Sequence, residues 1–353
     1  MLLLQAIAAN NDNQLIFIAP IIKPNMKKIL LACVAVLVFA CSGDDNSQSN
    51  DERCIYKGNV TLKTQEEVDA FVSHGFCTVD GNLTIGDYYE DPKSNINSLQ
   101  GLSGITTVTG NVTVVSNSLL ESLNGLQNIK DVSKISVVSN HRLQDLKGFP
   151  SLDNDAIVEI ANNLGMATLE GLNVEKCKSI ALYSNISLKN ILALQNLQEI
   201  KSLRMQGNGM INLEGLEAIT QIEELMIDTN PNLVSLKGLD NLKRSDYFSI
   251  RSNHALVTLE HLSNFVAIGD IESDMKIHYF SIAENNNLES LHGLENLAYF
   301  LGNVFEINYN PKLHDFCALT NFFQLNTLSH PDISDNAYNP TQSQISAGNC
   351  SQP

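Results

Sequence analysis

Tryptophan is absent from this 353-residue chain, and charged residues make up only 17% of it. The shortage is lopsided: 22 Lys and Arg stand against 39 Asp and Glu, a formal charge of −17. With no surplus of cations to neutralise phosphates, nucleic acid is excluded as a partner. Signatures of catalysis are missing as well. There is no Gly-x-Ser-x-Gly, His-Glu-x-x-His, P-loop or dinucleotide fingerprint, and the eight histidines fall at unequal positions with no pair or triad converging. Neither C-x₂-C nor a regular Asp-x-Asp-x-Asp-Gly loop occurs; Asp87, Glu90 and Asp91 come nearest to a metal site but read as a solvated loop. The expectation is therefore a non-enzyme without cofactor or metal. What the chain does have is a 43% apolar fraction, too high for a disordered acidic polymer and ample for a core.

The N-terminus reads as an address. Lys27 and Lys28 precede the apolar run Ile29 to Ala40, whose 12 residues fall short of the roughly 20 that cross a bilayer as a helix. Val38-Phe39-Ala40-Cys41 resembles a bacterial lipobox, with cleavage before a lipid-bearing Cys41; an ordinary signal peptide is the alternative. Residues 1–25 read as translation from a start upstream of Met26, or else as a genuine extension. Residues 26–40 are then the signal peptide and 41–53 an acidic flexible tether. Ser42-Gly43-Asp44-Asp45 is similar to the signal that sends Bacteroidetes lipoproteins to the outer face of the outer membrane, which places the expected protein there, held to the membrane by lipid alone. Loss of residues 1–40 leaves a charge of −19.

Of the seven cysteines, Cys33 leaves with the signal. Cys54 with Cys77 and Cys317 with Cys350 form local pairs near the two ends, and in an exported protein these read as disulfide staples. Cys177 reads as a buried small hydrophobe.

Nearly everything else repeats. Leu-x-x-Leu-x-Gly-Leu recurs, for example at Leu120-Leu123-Gly125-Leu126, Met166-Leu169-Gly171-Leu172 and Leu233-Leu236-Gly238-Leu239. The closing apolar residues fall at 102, 126, 149, 172, 194, 216, 239, 262, 294 and 319, mostly 22–25 apart. Repeats five and eight carry Ala193 and His261 where the others have Gly. A row of asparagines marks the same register: Asn117, Asn140, Asn163, Asn185, Asn208, Asn230, Asn253, Asn285 and Asn310, with Asn162 a rival to Asn163. Before each lies an alternating stretch such as Val112-Thr113-Val114 or Phe248-Ser249-Ile250, the mark of a strand with one buried face. Coils of this kind bury their apolar faces by stacking about 4.8 Å apart into parallel sheets. Asn is suited to the corner because its amide both donates and accepts.

These motifs, with Gly81-Asn82-Leu83-Thr84-Ile85, resemble bacterial receptor L-domain-like proteins, relatives of leucine-rich repeats, over residues 81–320. The resemblance implies a right-handed parallel β-helix of about ten 22–25-residue coils, flanked by caps at 54–80 and 321–353. Thr64 and Glu67 would cap a short helix in the first of these. The family also implies recognition of an extracellular protein or glycan; a structural or adhesive envelope role is the alternative, and a carbohydrate-active enzyme a distant one. Residues four and two before each Asn should face outward. Among them Tyr183, Arg204, Gln206, Met226, Asp228 and Arg251 mix an aromatic, two arginines and polar groups over adjacent coils, as binding surfaces do. The 32-residue interval before 294 holds an insertion near 269–277, either a binding loop or a tolerated one.

Overall fold

The computed structural model describes residues 54–88, 94–269 and 277–352. The expected signal peptide, Cys41, the tether, residues 89–93 and residues 270–276 of the insertion lie outside the described residues.

Twelve parallel strands run along the length of one fourteen-stranded sheet in strict chain order. They are β1 (Val60–Leu62), β2 (Leu83–Gly86), β3 (Val112–Val115), β4 (Val132–Val138), β5 (Leu152–Ala161) and β6 (Lys176–Tyr183). The series continues with β7 (Glu199–Gln206), β8 (Gln221–Asp228), β9 (Arg244–Arg251), β10 (Tyr279–Ala283), β11 (Val304–Asn308) and β12 (Asp332–Ser334). The molecule is thus mainly β, a parallel solenoid of about 12 turns. Its two turns beyond the expected ten come from β1 and β12. Both are three-residue strands in flanking segments without the leucine motif, so their sequence carries no repeat signal.

Register explains why the pattern works. Ile180, Leu203, Leu225, Phe248 and Phe280 pair directly from strand to strand, so one interior position in each coil rests on the same position in the next. The leucines of the turn, such as Leu120, Leu123 and Leu126, close the interior and are fully buried. Towards the C-terminus the row becomes aromatic: Phe248, Phe280, Phe305 and Phe322 stack with ring centres 5.6, 4.9 and 5.3 Å apart.

All nine predicted asparagines are fully buried. Each backbone N–H donates to the side-chain oxygen of the next, as from Asn185 to Asn208 Oδ1 at 3.2 Å. Each Nδ2 reaches back to a carbonyl of the preceding coil, as from Asn185 to Ile160 O at 2.8 Å. Asn163 is the ladder member, while Asn162 occupies the preceding position, which is left-handed (φ +54°). The ladder has a tenth rung beyond the expected row, Asn336, closed by Asn339 Oδ1 at 2.9 Å. Ser94 Oγ donates to Asn117 Oδ1 at the other end.

The motif glycine is required by close approach. A Cβ on Gly125 (φ +122°) would lie 1.8 Å from Leu99 O, and one on Gly171 (φ +107°) 2.2 Å from Leu146 O. Where Ala193 and His261 replace it, the chain takes a 3₁₀ turn instead, at Leu192–Leu194 and Glu260–Leu262.

At the N-terminal end, α1 (Gln65–Ser73) begins with the expected reciprocal cap between Thr64 and Glu67, at 3.2 and 3.3 Å. Disulfides join Cys54 to Cys77 and Cys317 to Cys350. Short helices α2 (Thr320–Leu325) and α3 (Gln342–Ser346) pack at the C-terminal end. Cys177 is buried and unpaired, and burial pushes its thiol up to about 12, which makes it inert as a nucleophile.

Candidate functional site

The solvent side of the sheet carries three rows of side chains where two were expected. β6, β7 and β8 each bend before their regular part, so that two consecutive residues face out: Lys178-Ser179, Lys201-Ser202 and Glu223-Glu224. The added row, six residues before each Asn, runs Lys134, Ile157, Ser179, Ser202, Glu224, Tyr247, and its members pair directly. Strict alternation reaches this row and fails one residue before it, at Lys178, Lys201 and Glu223. The clue available in sequence was that these residues lie two positions ahead of a row already assigned outward.

The two expected rows need a correction towards both ends. Val115 and Ser136 at one end, and Ser249, Ser281, Ala283 and Asn308 at the other, are buried although they lie on the outward side.

The six candidate residues do adjoin one another. Tyr183, Gln206, Asp228 and Arg251 form one paired row, and Arg204 pairs with Met226 beside it. They do not form one site. Tyr183 and Arg204 line a shallow depression of about 410 Å³ above β4–β8; Gln206, Met226, Asp228 and Arg251 lie beyond its rim. Its floor is low because Ile157, Ser179 and Ala181 are short in consecutive coils, with Glu159 standing on one side and Arg204 on the other.

The Arg204 wall is fixed by its own bonds. Its Nη2 meets Glu224 Oε1 at 2.8 Å and its Nε donates to Oε2 at 3.0 Å, while Ser202 Oγ donates to the same oxygen at 2.6 Å. The Glu224 bond pushes the Arg204 guanidinium above its ordinary value, and a hydrogen bond with Tyr183 adds to this. On the opposite wall Glu159 accepts from Ser136 Oγ at 3.0 Å.

Beyond the rim, Arg251 is committed to a second network. Its Nη2 donates to Glu284 Oε1 at 3.2 Å and its Nη1 to Tyr279 OH at 3.3 Å, and Tyr279 in turn donates to Glu306 Oε2 at 2.6 Å. Tyr279 stacks on Tyr247 with ring centres 4.6 Å apart. Burial pushes the Asp228 carboxyl above its ordinary value, against the hydrogen bond it accepts from Ser249 at 3.2 Å.

No family model matches the chain, and no curated protein matches it significantly. Among the described residues no group of three or more His, Cys, Asp or Glu is arranged to hold a metal ion, and no helix is long and apolar enough to cross a membrane. What the depression offers is non-covalent: a small apolar floor, hydroxyls, a phenol and fixed charges of both signs on a sheet held rigid by its register.

Proposed function

We propose that the chain is a lipid-anchored, surface-exposed binding module that recognises an extracellular protein or glycan and carries out no chemistry on it. The observation that supports this most is the depression above β4–β8, an open recess on a regular sheet whose walls are pinned by side-chain bonds before any ligand arrives. Pre-organised walls spare a ligand the cost of ordering them. The lipobox-like Val38–Cys41 and the likeness to receptor L-domain-like repeats support the same reading.

A glycan and protein array probed with the purified chain tests it. At least one class of partner should bind and raise the melting temperature. Arg204→Glu should abolish that binding, while Arg251→Glu, beyond the rim, should leave it. Silence across the array, together with weakened adhesion or a weakened envelope in a deletion strain, would replace this reading with a structural one.

A further inference from the structure

Most charges in the depression cancel in pairs. Lys201 meets Glu223 at 3.5 Å and Arg204 meets Glu224 at 2.8 Å. Three charged groups remain: Lys134, Lys178 and Glu159. Neither lysine has a carboxylate within 4.0 Å among the described residues. Four cationic side chains against three carboxylates make this recess locally positive on a chain whose formal charge is −17. Elsewhere lysines commonly lie against acids of the next coil, as Lys176 does with Glu199 at 2.7 Å and Lys147 with Glu170 at 3.1 Å. Lys134 and Lys178 outweigh Glu159 by one charge, which on an acidic protein leaves a place for an anion there.

The rest of the lining narrows the class. Ile157 and Ala181 give the floor a small apolar surface, suited to the C–H face of a sugar ring. Ser179 offers a hydroxyl that donates or accepts, Ser202, whose proton is held by Glu224, accepts, and Glu159 accepts only. Lys134, Ile157, Ser179, Ser202 and Glu224 follow one another along a single row, so the recess extends over four inter-strand steps, roughly 19 Å, with its two unpaired lysines at the β4–β6 end. An elongated recess with mixed polar walls, a patch of apolar floor and a surplus of positive charge at one end matches a short saccharide carrying one carboxylate.

We propose that this depression binds an acidic glycan, with the sugar carboxylate at Lys134 and Lys178 and the adjoining sugar unit over Ile157 and Ala181. The proposal deepens the binding-module reading and rests on it. Where that reading asks whether any extracellular partner binds, this one fixes the chemical class and the two residues that select it.

The test is calorimetric titration of the full chain with galacturonate, glucuronate and N-acetylneuraminate trisaccharides, each beside its neutral counterpart, and with a sulfated neutral trisaccharide. At least one carboxylated sugar should bind about tenfold or more tighter than its neutral partner, and added salt should weaken it. Lys134→Ala with Lys178→Ala should remove about tenfold of that affinity at an unchanged melting temperature. Lys57→Ala with Lys312→Ala, which alters net charge equally far from the recess, should leave the affinity as it was. Equal binding of neutral sugars, preference for the sulfated one, indifference to the Lys134/Lys178 change, or no sugar binding at all would each overturn the proposal. Equal, lysine-dependent binding of an acidic peptide would overturn it in favour of a protein partner. If the sugars fail while the array finds another partner, the broader reading stands alone; if both fail, neither stands.

Discussion

The buried asparagine is the residue on which every coil depends. Its side chain takes up backbone groups that the corner leaves unpaired, and its oxygen serves the rung before it, so a substitution harms two coils at once. Asn230 donates from Nδ2 to Met205 O and Asp228 O and accepts from Asn208 N, each at 3.0–3.1 Å. Asn230→Ala should cost roughly 4 kcal/mol in urea denaturation, because buried groups on both sides lose partners. Next to it, Thr229 holds a left-handed conformation (φ +54°) that a β-branched residue dislikes. Thr229→Gly should raise stability by about 0.5 kcal/mol, the relief of strain slightly exceeding the added freedom of the unfolded chain; a lower denaturation midpoint would refute this. The asparagine row was legible in sequence since only one residue type does the work. Its left-handed neighbour was not. Ser, Asn, Gly, Thr, Glu, Tyr and Asp all occupy that position, and a demand made on φ alone leaves no single-residue signature.

At the scale of the coil, backbone proximity sets the strictest rules. Gly171→Ala should cost about 3 kcal/mol, since the new methyl meets Leu146 O and the backbone sits in a region only glycine favours. Ala193→Gly, in a 3₁₀ turn, should by contrast change little. Strands read well where period two held, which covers the inward faces and, in the middle coils, the second and fourth positions before each Asn. The recess itself was only half legible. Tyr183 and Arg204 came from the assigned rows, and Ser179 and Glu224 lie two residues further along the same alternation, but Lys178 and Glu223 lie at the bend, where two successive side chains face outward and the period fails. The link between β9 and β10 carries a pH dependence. Hydrogen bonds from Ser252 and then Arg251 hold the Glu284 carboxyl below its ordinary 4.5. A depressed carboxyl stabilises the fold fully above that value and loses its contribution as pH falls through the lower, folded value. Replacing it by Gln should therefore flatten the decline of the denaturation midpoint below pH 4.5, with the two proteins converging in stronger acid.

For the molecule as a whole, stability is a sum of turns and their interfaces, and the ends are where it can unravel. A parallel sheet leaves β1 and β12 as its two edges, and β12 begins after Pro331 with the charged Asp332, both of which discourage further pairing. Each disulfide ties an end, with separations of 23 and 33 residues. Cys317→Ser with Cys350→Ser should cost about 3–4 kcal/mol in the chain-entropy account, and hydrogen exchange should quicken first in β11 and β12. Uniform loss of protection along the solenoid would mean that its turns unfold as one unit. At this scale the sequence was most informative in the middle and least at the ends, where caps obey no period and two further turns went uncounted.

One rung has a bearing on how the protein ages. Asn208 is followed by Gly209, the pairing most prone in free peptides to cyclise and shed ammonia, because nothing hinders the glycine nitrogen from attacking the side-chain carbonyl. In the folded chain that amide is tethered to Leu182 O at 2.9 Å and Gln206 O at 3.2 Å and sealed from water. Folding thus protects the bond chemically. Every excursion to the unfolded state exposes it, and each conversion leaves an aspartate or isoaspartate, and so a carboxylate, in a fully buried corner. Damage of this kind would accumulate in one direction, since a chain altered there refolds less readily and is exposed for longer the next time.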